Sequence, residues 1–267
     1  MNPFRVAPEA QAAPDVLICA GLDPSGGAGL IADVRVVSAL GCRPVGVVTA
    51  LTVQNTTGVV ESEAMNAERV REQLEFLLSD VEVRAVKLGM LGSSAVAESV
   101  GRALALTAAP VVWDPVVHPS RGAVRFVDSL FEHAVAALGA HVTVLTPNAS
   151  ELAFMTGTRV ADLDDARSVG QALAERLRTA VLVKGGHLGG EESVDLLCQP
   201  GEVVELRGRR TPGGEHVHGT GCALSSALAA HLARGLALID ACRAAKDFVA
   251  ARIAAPVRPG RGAAAVV

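Results

Sequence analysis

Val16-Leu17-Ile18-Cys19 runs directly into Ala20-Gly21-Leu22-Asp23-Pro24-Ser25-Gly26-Gly27-Ala28-Gly29, and residues 30–40 follow with apolar side chains at helical spacing. The short apolar run reads as a strand buried on both faces. The glycine-rich stretch reads as a loop. The third part reads as a helix, with apolar Leu30, Val34, Val37, Ala39 and Leu40 around Asp33 and Arg35. Strand, glycine loop and helix form the unit that places ligands at the C-terminal ends of parallel strands. Asp33 falls in the first turn of that helix. There it either suits the positive end of the helix dipole or offers a carboxylate to a substrate.

The same alternation continues along the chain. Further strands are expected at 44–49, 85–88, 111–114, 142–145 and 181–184, all rich in β-branched residues and nearly continuous in apolar character. Helical stretches are expected at 67–78, 94–106, 128–138, 151–156, 165–177, 222–234 and 238–253. Residues 194–198 and 203–207, separated by Gln199-Pro200-Gly201-Glu202, read as a hairpin. No repeat of fixed period and no linker to a second domain stands out. The expectation is an α/β fold, a parallel sheet covered by helices on both sides.

A second glycine cluster lies near the other end. His218-Gly219-Thr220-Gly221-Cys222 precedes an Ala/Leu-rich run that reads as a helix starting at or just after Gly221. The N–H groups of Gly219, Thr220, Gly221 and Cys222 would then converge at a positive helix end and hold a phosphate. No P-loop pattern occurs, and a dinucleotide fingerprint would need a third glycine where Leu224 stands. Close packing of small residues is the alternative for this segment. A thiol at a helix start is expected to have a lowered pKa, which would make Cys222 available as a base.

Composition narrows the function class. Of 267 residues, half are hydrophobic, enough for a sizeable core. The net charge of −4 argues against nucleic acid or an anionic membrane as partner. No apolar run approaches the length of a membrane span. Five cysteines, an odd number without paired metal spacing, suit a reducing cytoplasm. Residues 1–14 read as a disordered leader and 15–267 as a single domain.

Seven motifs carry a specific resemblance. They are residues 20–29 with Ala32-Asp33, residues 48–59 around Gln54, and Lys87-Leu88-Gly89-Met90-Leu91. Asp114-Pro115-Val116, Thr146-Pro147-Asn148 with Glu151, Val183-Lys184-Gly185-Gly186-His187 and the 218–222 segment complete the set. In this order and spacing the chain resembles the hydroxymethylpyrimidine/phosphomethylpyrimidine kinases of thiamine biosynthesis, in the ribokinase-like superfamily. The resemblance implies a three-layer sandwich around a mostly parallel sheet, and ATP with Mg²⁺ as phosphate donor. It implies Cys222, Lys184 and the backbone of Gly219, Thr220 and Gly221 as the catalytic group. Gly21, Asp33, Gln54, Met90 and Val116 would line the pyrimidine pocket, where a Gln amide can both donate to and accept from an aminopyrimidine edge. Asn148, Glu151, Lys184 and Thr220 would handle ATP, and Asp114 and Glu151 would hold Mg²⁺ partly through water. Strand-end polar residues such as these can instead cap the next helix. Small-molecule substrates, a homodimer and a cytoplasmic location follow from the same resemblance.

Some segments depart from the family pattern. Val117-His118-Pro119-Ser120-Arg121-Gly122 lacks the usual Lys-Ser-Gly-like run, and Arg121 is a candidate replacement phosphate contact. Residues 213–217 suggest a flap, and the stretch from Pro256 echoes the family's ending only loosely. Two alternatives stay open: a pyridoxal/pyridoxine kinase, and a catalytically silent pyrimidine-binding homologue. Cys222 is either a base or only part of the wall of the anion hole.

Overall fold

The computed structural model describes residues 13–116, 130–186, 188 and 191–267. Nine strands form one sheet in the order β3-β2-β1-β4-β5-β6-β7-β8-β9. β1 (Asp15–Leu22) lies between β2 (Arg43–Asn55) and β4 (Val83–Leu88), parallel to both. β5 (Val111–Trp113), β6 (Val142–Leu145) and β7 (Ala180–Val183) extend the parallel part. β3 (Gly58–Ala64), β8 (Glu192–Gln199) and β9 (Glu202–Arg209) are antiparallel additions at the two edges. Val16, Leu17, Ile18 and Cys19 are fully buried, as expected of a strand covered on both faces.

Two apolar layers flank the sheet. On one face pack α1 (Gly29–Ala39), α7 (Thr220–Ala233) and α8 (Leu238–Ala254), around Val36, Val37, Leu228 and Val249. On the other pack α2 (Ala67–Leu78), α3 (Ser94–Leu104), α4 (Leu130–Leu138), α5 (Ala149–Thr156) and α6 (Leu163–Leu177), around Leu74, Val100, Leu138, Leu152 and Leu173. This is the α/β three-layer arrangement expected from the alternating pattern.

The chain goes from β1 outward to β2 and returns across β1 to β4. Strand order therefore reverses between β1 and β4, and the C-terminal ends of strands at such a switch point are where open α/β sheets place a ligand crevice. Three local expectations need correction. β2 runs on to Asn55 and pairs with β3, a strand absent from the sequence reading, because residues 50–64 leave the sheet body as a two-stranded ribbon with alternating exposed side chains. Asp33 stands in the second turn of α1, not the first, because the helix begins at Gly29. α7 begins at Thr220, just before Gly221, with Gly219 as N-cap at φ +80°. The start of the expected 128–138 helix, the loop from His118 to Gly122, His187 and residues 1–12 lie outside the described residues.

Candidate active site

The crevice is built around the N-terminus of α7. Gly219 has the left-handed backbone that favours glycine, and a Cβ there would stand 2.0 Å from the Gly27 carbonyl oxygen. The two glycine loops, nearly 200 residues apart in sequence, thus pack backbone against backbone. Thr220, Gly221 and Cys222 form the first turn of α7, so their N–H groups have no carbonyl partner within the helix.

One side of this turn carries the residues expected to serve ATP. Lys184 follows β7, bridged to Asn148 after β6 through its own N–H and the Pro147 carbonyl at 2.8 Å. Its Nζ donates to Asp114 Oδ1 at 2.8 Å and lies 3.5 Å from Glu151 Oε2. A Cβ on Gly221 would be 3.1 Å from that Nζ. Asp114, directly after β5, also accepts from Thr146 Oγ1 at 3.3 Å and from Ser225 Oγ at 3.4 Å. Burial works against the charge on Lys184, but Asp114 and Glu151 outweigh it and hold the ammonium well above its ordinary range. Burial raises the Glu151 carboxyl, with Lys184 opposing. Asn148 and Glu151 also form a reciprocal cap on α5, Asn148 N donating to Glu151 Oε2 at 2.7 Å and Glu151 N to Asn148 Oδ1 at 2.9 Å. The helix-capping alternative for these two residues is therefore realised alongside their contact with Lys184.

The other side gathers the expected acceptor residues. A Cβ on Gly21 would stand 3.1 Å from Met90 Sδ, so these two adjoin at the β1/β4 crevice. Thr52 Oγ1 donates to the Leu22 carbonyl at 2.8 Å and tethers the ribbon on which Gln54 sits. Gln54 Nε2 lies 3.4 Å from His218 Nε2, and that ring is 3.5 Å from Asp23 Oδ2. Asp23 also accepts from Ser25 N and Oγ and from Ala28 N. Burial acts to raise the Asp23 carboxyl, yet hydrogen bonds involving His218 and Ser25 hold it below the ordinary carboxylate value. Val116 is half-buried just past Asp114, the last described residue before 130.

Two expectations about chemistry are corrected here. Asp33 does not present an open carboxylate: it is fully buried, with Oδ2 2.5 Å from Lys87 Nζ and Oδ1 accepting from Ser226 Oγ at 2.8 Å. Cys222 does not have a lowered pKa either. Burial pushes its thiol up to about 11, and Asp33 and Asp114 add to the rise, while Lys87 and a hydrogen bond from the Gly29 backbone oppose it. Desolvation of a thiolate outweighs the charges and the hydrogen bond that favour it here.

Lys87 is the residue that motif reading left without a role. It is fully buried, and the charges acting on it are those of Asp33, Cys222 and Asp114, so it stands among both halves of the site. The available signal was a lysine in an otherwise apolar strand that ends at a glycine.

Comparisons with known proteins agree with this geometry. A family model described as phosphomethylpyrimidine kinase matches residues 23–267. A hydroxymethylpyrimidine/phosphomethylpyrimidine kinase of Streptomyces coelicolor is 42% identical over 249 residues, covering 93% of this chain and 92% of that one. The phosphomethylpyrimidine kinase of Clostridium difficile superposes with a TM-score of 0.76 at 32% identity, covering 90% of this chain and 99% of that one. A pyridoxal kinase from Staphylococcus aureus in complex with ADP gives a TM-score of 0.87 at 26% identity, covering 96% and 93%. With a family match over nine-tenths of its length and the donor and acceptor motifs gathered around one helix start, the chain belongs to the phosphomethylpyrimidine kinase family.

Proposed function

We infer that this protein is an ATP-dependent kinase that phosphorylates 4-amino-5-hydroxymethyl-2-methylpyrimidine and then its monophosphate, in thiamine biosynthesis. The observation that carries this reading is Lys184, held between Asp114 and Glu151 directly against Gly221 at the start of α7. In the proposed mechanism the N–H groups of Gly219 to Cys222 receive the transferring phosphoryl group. Lys184 neutralises the charge that grows on it, and Thr220 and Asn148 flank the nucleotide.

Asp114 and Glu151 suit Mg²⁺. They are two carboxylates with no third His, Cys, Asp or Glu grouped with them among the described residues, so phosphate oxygens and water would complete the shell. Mg²⁺ would supply charge neutralisation on the phosphates. Gln54 reads the aminopyrimidine edge, Gly21 and Met90 cover the ring, and Val116 closes the side towards Asp114. The Asp33–Lys87 pair supports this pocket from beneath. Because its thiol keeps its proton near neutral pH, Cys222 lines the hole as a neutral group, and the acceptor hydroxyl proton passes late to an oxygen of the transferring phosphoryl group. A loose phosphoryl-transfer transition state demands positioning more than a strong base.

Residues 15–267 act as one domain in this reading, and we assign it a homodimer in the cytoplasm. Exposed Leu51, Val53 and Val60 on the β2–β3 ribbon offer apolar surface for a second copy. The five free cysteines suit a reducing compartment, and no described helix is long and apolar enough to cross a membrane. The intact Lys184 and Cys222 speak against a silent homologue. Phosphorylation of pyridoxal-type vitamers is the second reading, favoured by the overlap with the S. aureus kinase fold. Turnover of Mg·ATP with hydroxymethylpyrimidine against pyridoxine at equal concentration separates the two. We expect faster pyrimidine turnover and a diphosphate product; faster pyridoxine turnover would reverse the assignment.

A further inference from the structure

Residues 256–267 link the turn of the β2–β3 ribbon to His218, next to the start of α7. At one end they grip the turn of the β2–β3 ribbon, where Gly262 N donates to Thr56 Oγ1 at 3.1 Å and Ala263 N to the Thr56 carbonyl at 2.9 Å. The approach is so close that a Cβ on Gly262 would stand 1.9 Å from that carbonyl oxygen. At the other end they take both backbone groups of His218. His218 N donates to the Ala264 carbonyl at 2.7 Å, and Val266 N to the His218 carbonyl at 3.3 Å. Val257 and Ala265 exchange two hydrogen bonds of 2.8 Å, folding the segment into a short clasp. Ala265 and Val266 are 1% exposed, so the end of the segment is built into the protein, while residues 256–261 are exposed.

Thr56 lies two residues beyond Gln54, and His218 immediately precedes the anion hole. Apart from this segment, the ribbon carrying Gln54 is held by pairing with β3, by Thr52 on the Leu22 carbonyl and by Gln54 against His218. A free two-stranded ribbon is marginal in water, so its position over the crevice needs an outside anchor. We propose that residues 256–267 are a positioning strap that holds the acceptor-reading ribbon in register with the anion hole, acting through Thr56 at one end and His218 at the other. Among the described residues, the strap's hydrogen bonds to the rest of the protein go to Thr56 and His218, and none goes to Lys184, Asp114 or Glu151 on the donor side. Its effect therefore falls on acceptor use. This rests on the reading of Gln54 as the residue that meets the pyrimidine.

Gly262→Ala forces the junction apart, Thr56→Val removes the hydroxyl with little change of shape, and Thr56→Ser restores it. In the full-length protein, Gly262→Ala and Thr56→Val should raise the acceptor KM at least tenfold, leave the ATP KM within twofold, and shift Tm by no more than a few degrees. Thr56→Ser should behave as the parent. Hydrogen exchange at the His218 amide, read without substrate, should quicken in Gly262→Ala while β1 and β4 stay protected. An acceptor KM within twofold of the parent would overturn the strap, as would unchanged exchange at His218. So would equal losses for ATP and acceptor accompanied by a large fall in Tm. Should Gly262→Ala fail to fold, the Thr56 pair and its KM split decide the matter. A parent protein that turned over no pyrimidine would remove the kinase reading, and exchange at His218 would still decide for or against the strap.

Discussion

Two lysines feel the charge of Cys222, and their surroundings differ in kind. Lys87 faces one carboxylate, Asp33, and both side chains are 0% exposed. Lys184 is shared by two, Asp114 and Glu151, with 13% of its own side chain still open. The first arrangement is charge-balanced and sealed; the second has an excess negative charge and a path to solvent. A sealed, balanced pair fixes shape, because neither partner can leave without stranding the other in a low-dielectric interior. An open, unbalanced trio can exchange contacts when a polyanion and its cation arrive. The Lys87–Asp33 pair is thus rigid, and the group around Lys184 is able to rearrange.

Breaking the sealed pair should have the largest effect. Lys87→Met leaves the Asp33 charge unpaired, which should destabilise the protein by about 3–5 kcal/mol. Burial already raises the Asp33 carboxyl with Lys87 present, so its loss should raise it further. A carboxyl whose folded pKa is raised loses stability as pH rises from its unfolded value through the folded one, so the deficit should shrink as pH falls towards about 5. Chemical denaturation at several pH values tests this, and Lys87→Met with Asp33→Asn should recover most of the loss. A deficit near zero would mean that the pair is not the rigid element described here.

On the open side the loss should appear in catalysis. Lys184→Ala should lower kcat/KM for ATP by about 2–4 kcal/mol, as for removal of one preorganised contact to developing charge. Calorimetric pyrimidine affinity should remain nearly unchanged. Weakened pyrimidine binding in that variant would erase the division between the two halves.

The smallest effect concerns Cys222. With its thiol pushed up to about 11, alkylation by iodoacetamide should rise about tenfold per pH unit from 7 to 10, following the thiolate fraction. A plateau reached below pH 8 would restore Cys222 as a pre-ionised base.

The layered fold was legible in the sequence because most strands are apolar on both faces and the helices between them are amphipathic. The hairpin of β8 and β9 announced itself through Pro200-Gly201. β3 did not, since Glu61, Ser62 and Glu63 make a polar edge strand that reads as loop. The grouping of Asp114, Asn148 and Lys184 was legible because each follows a strand. The Asp33–Lys87 pair was not: its partners are 54 positions apart, and they meet only because α1 packs on β1, which pairs with β4. Nor did the 256–267 segment show its role, because its bonds to Thr56 and His218 follow no period. The thiol of Cys222 was misjudged by weighing the helix dipole without the burial that accompanies it.

The meeting of the two glycine loops also orders events in time. Ser226 reaches Asp33 across 193 positions, and Gly219 docks on Gly27 across a similar span. Parallel pairing of β1, β2 and β4 can proceed once the first third of the chain has left the ribosome. The anion hole has to wait for the last fifth. During synthesis the protein passes through a stage with a nearly complete scaffold and no reaction centre. Such long-range closure is slow to form, so recovered enzyme activity is a stricter measure of complete refolding than recovered secondary structure.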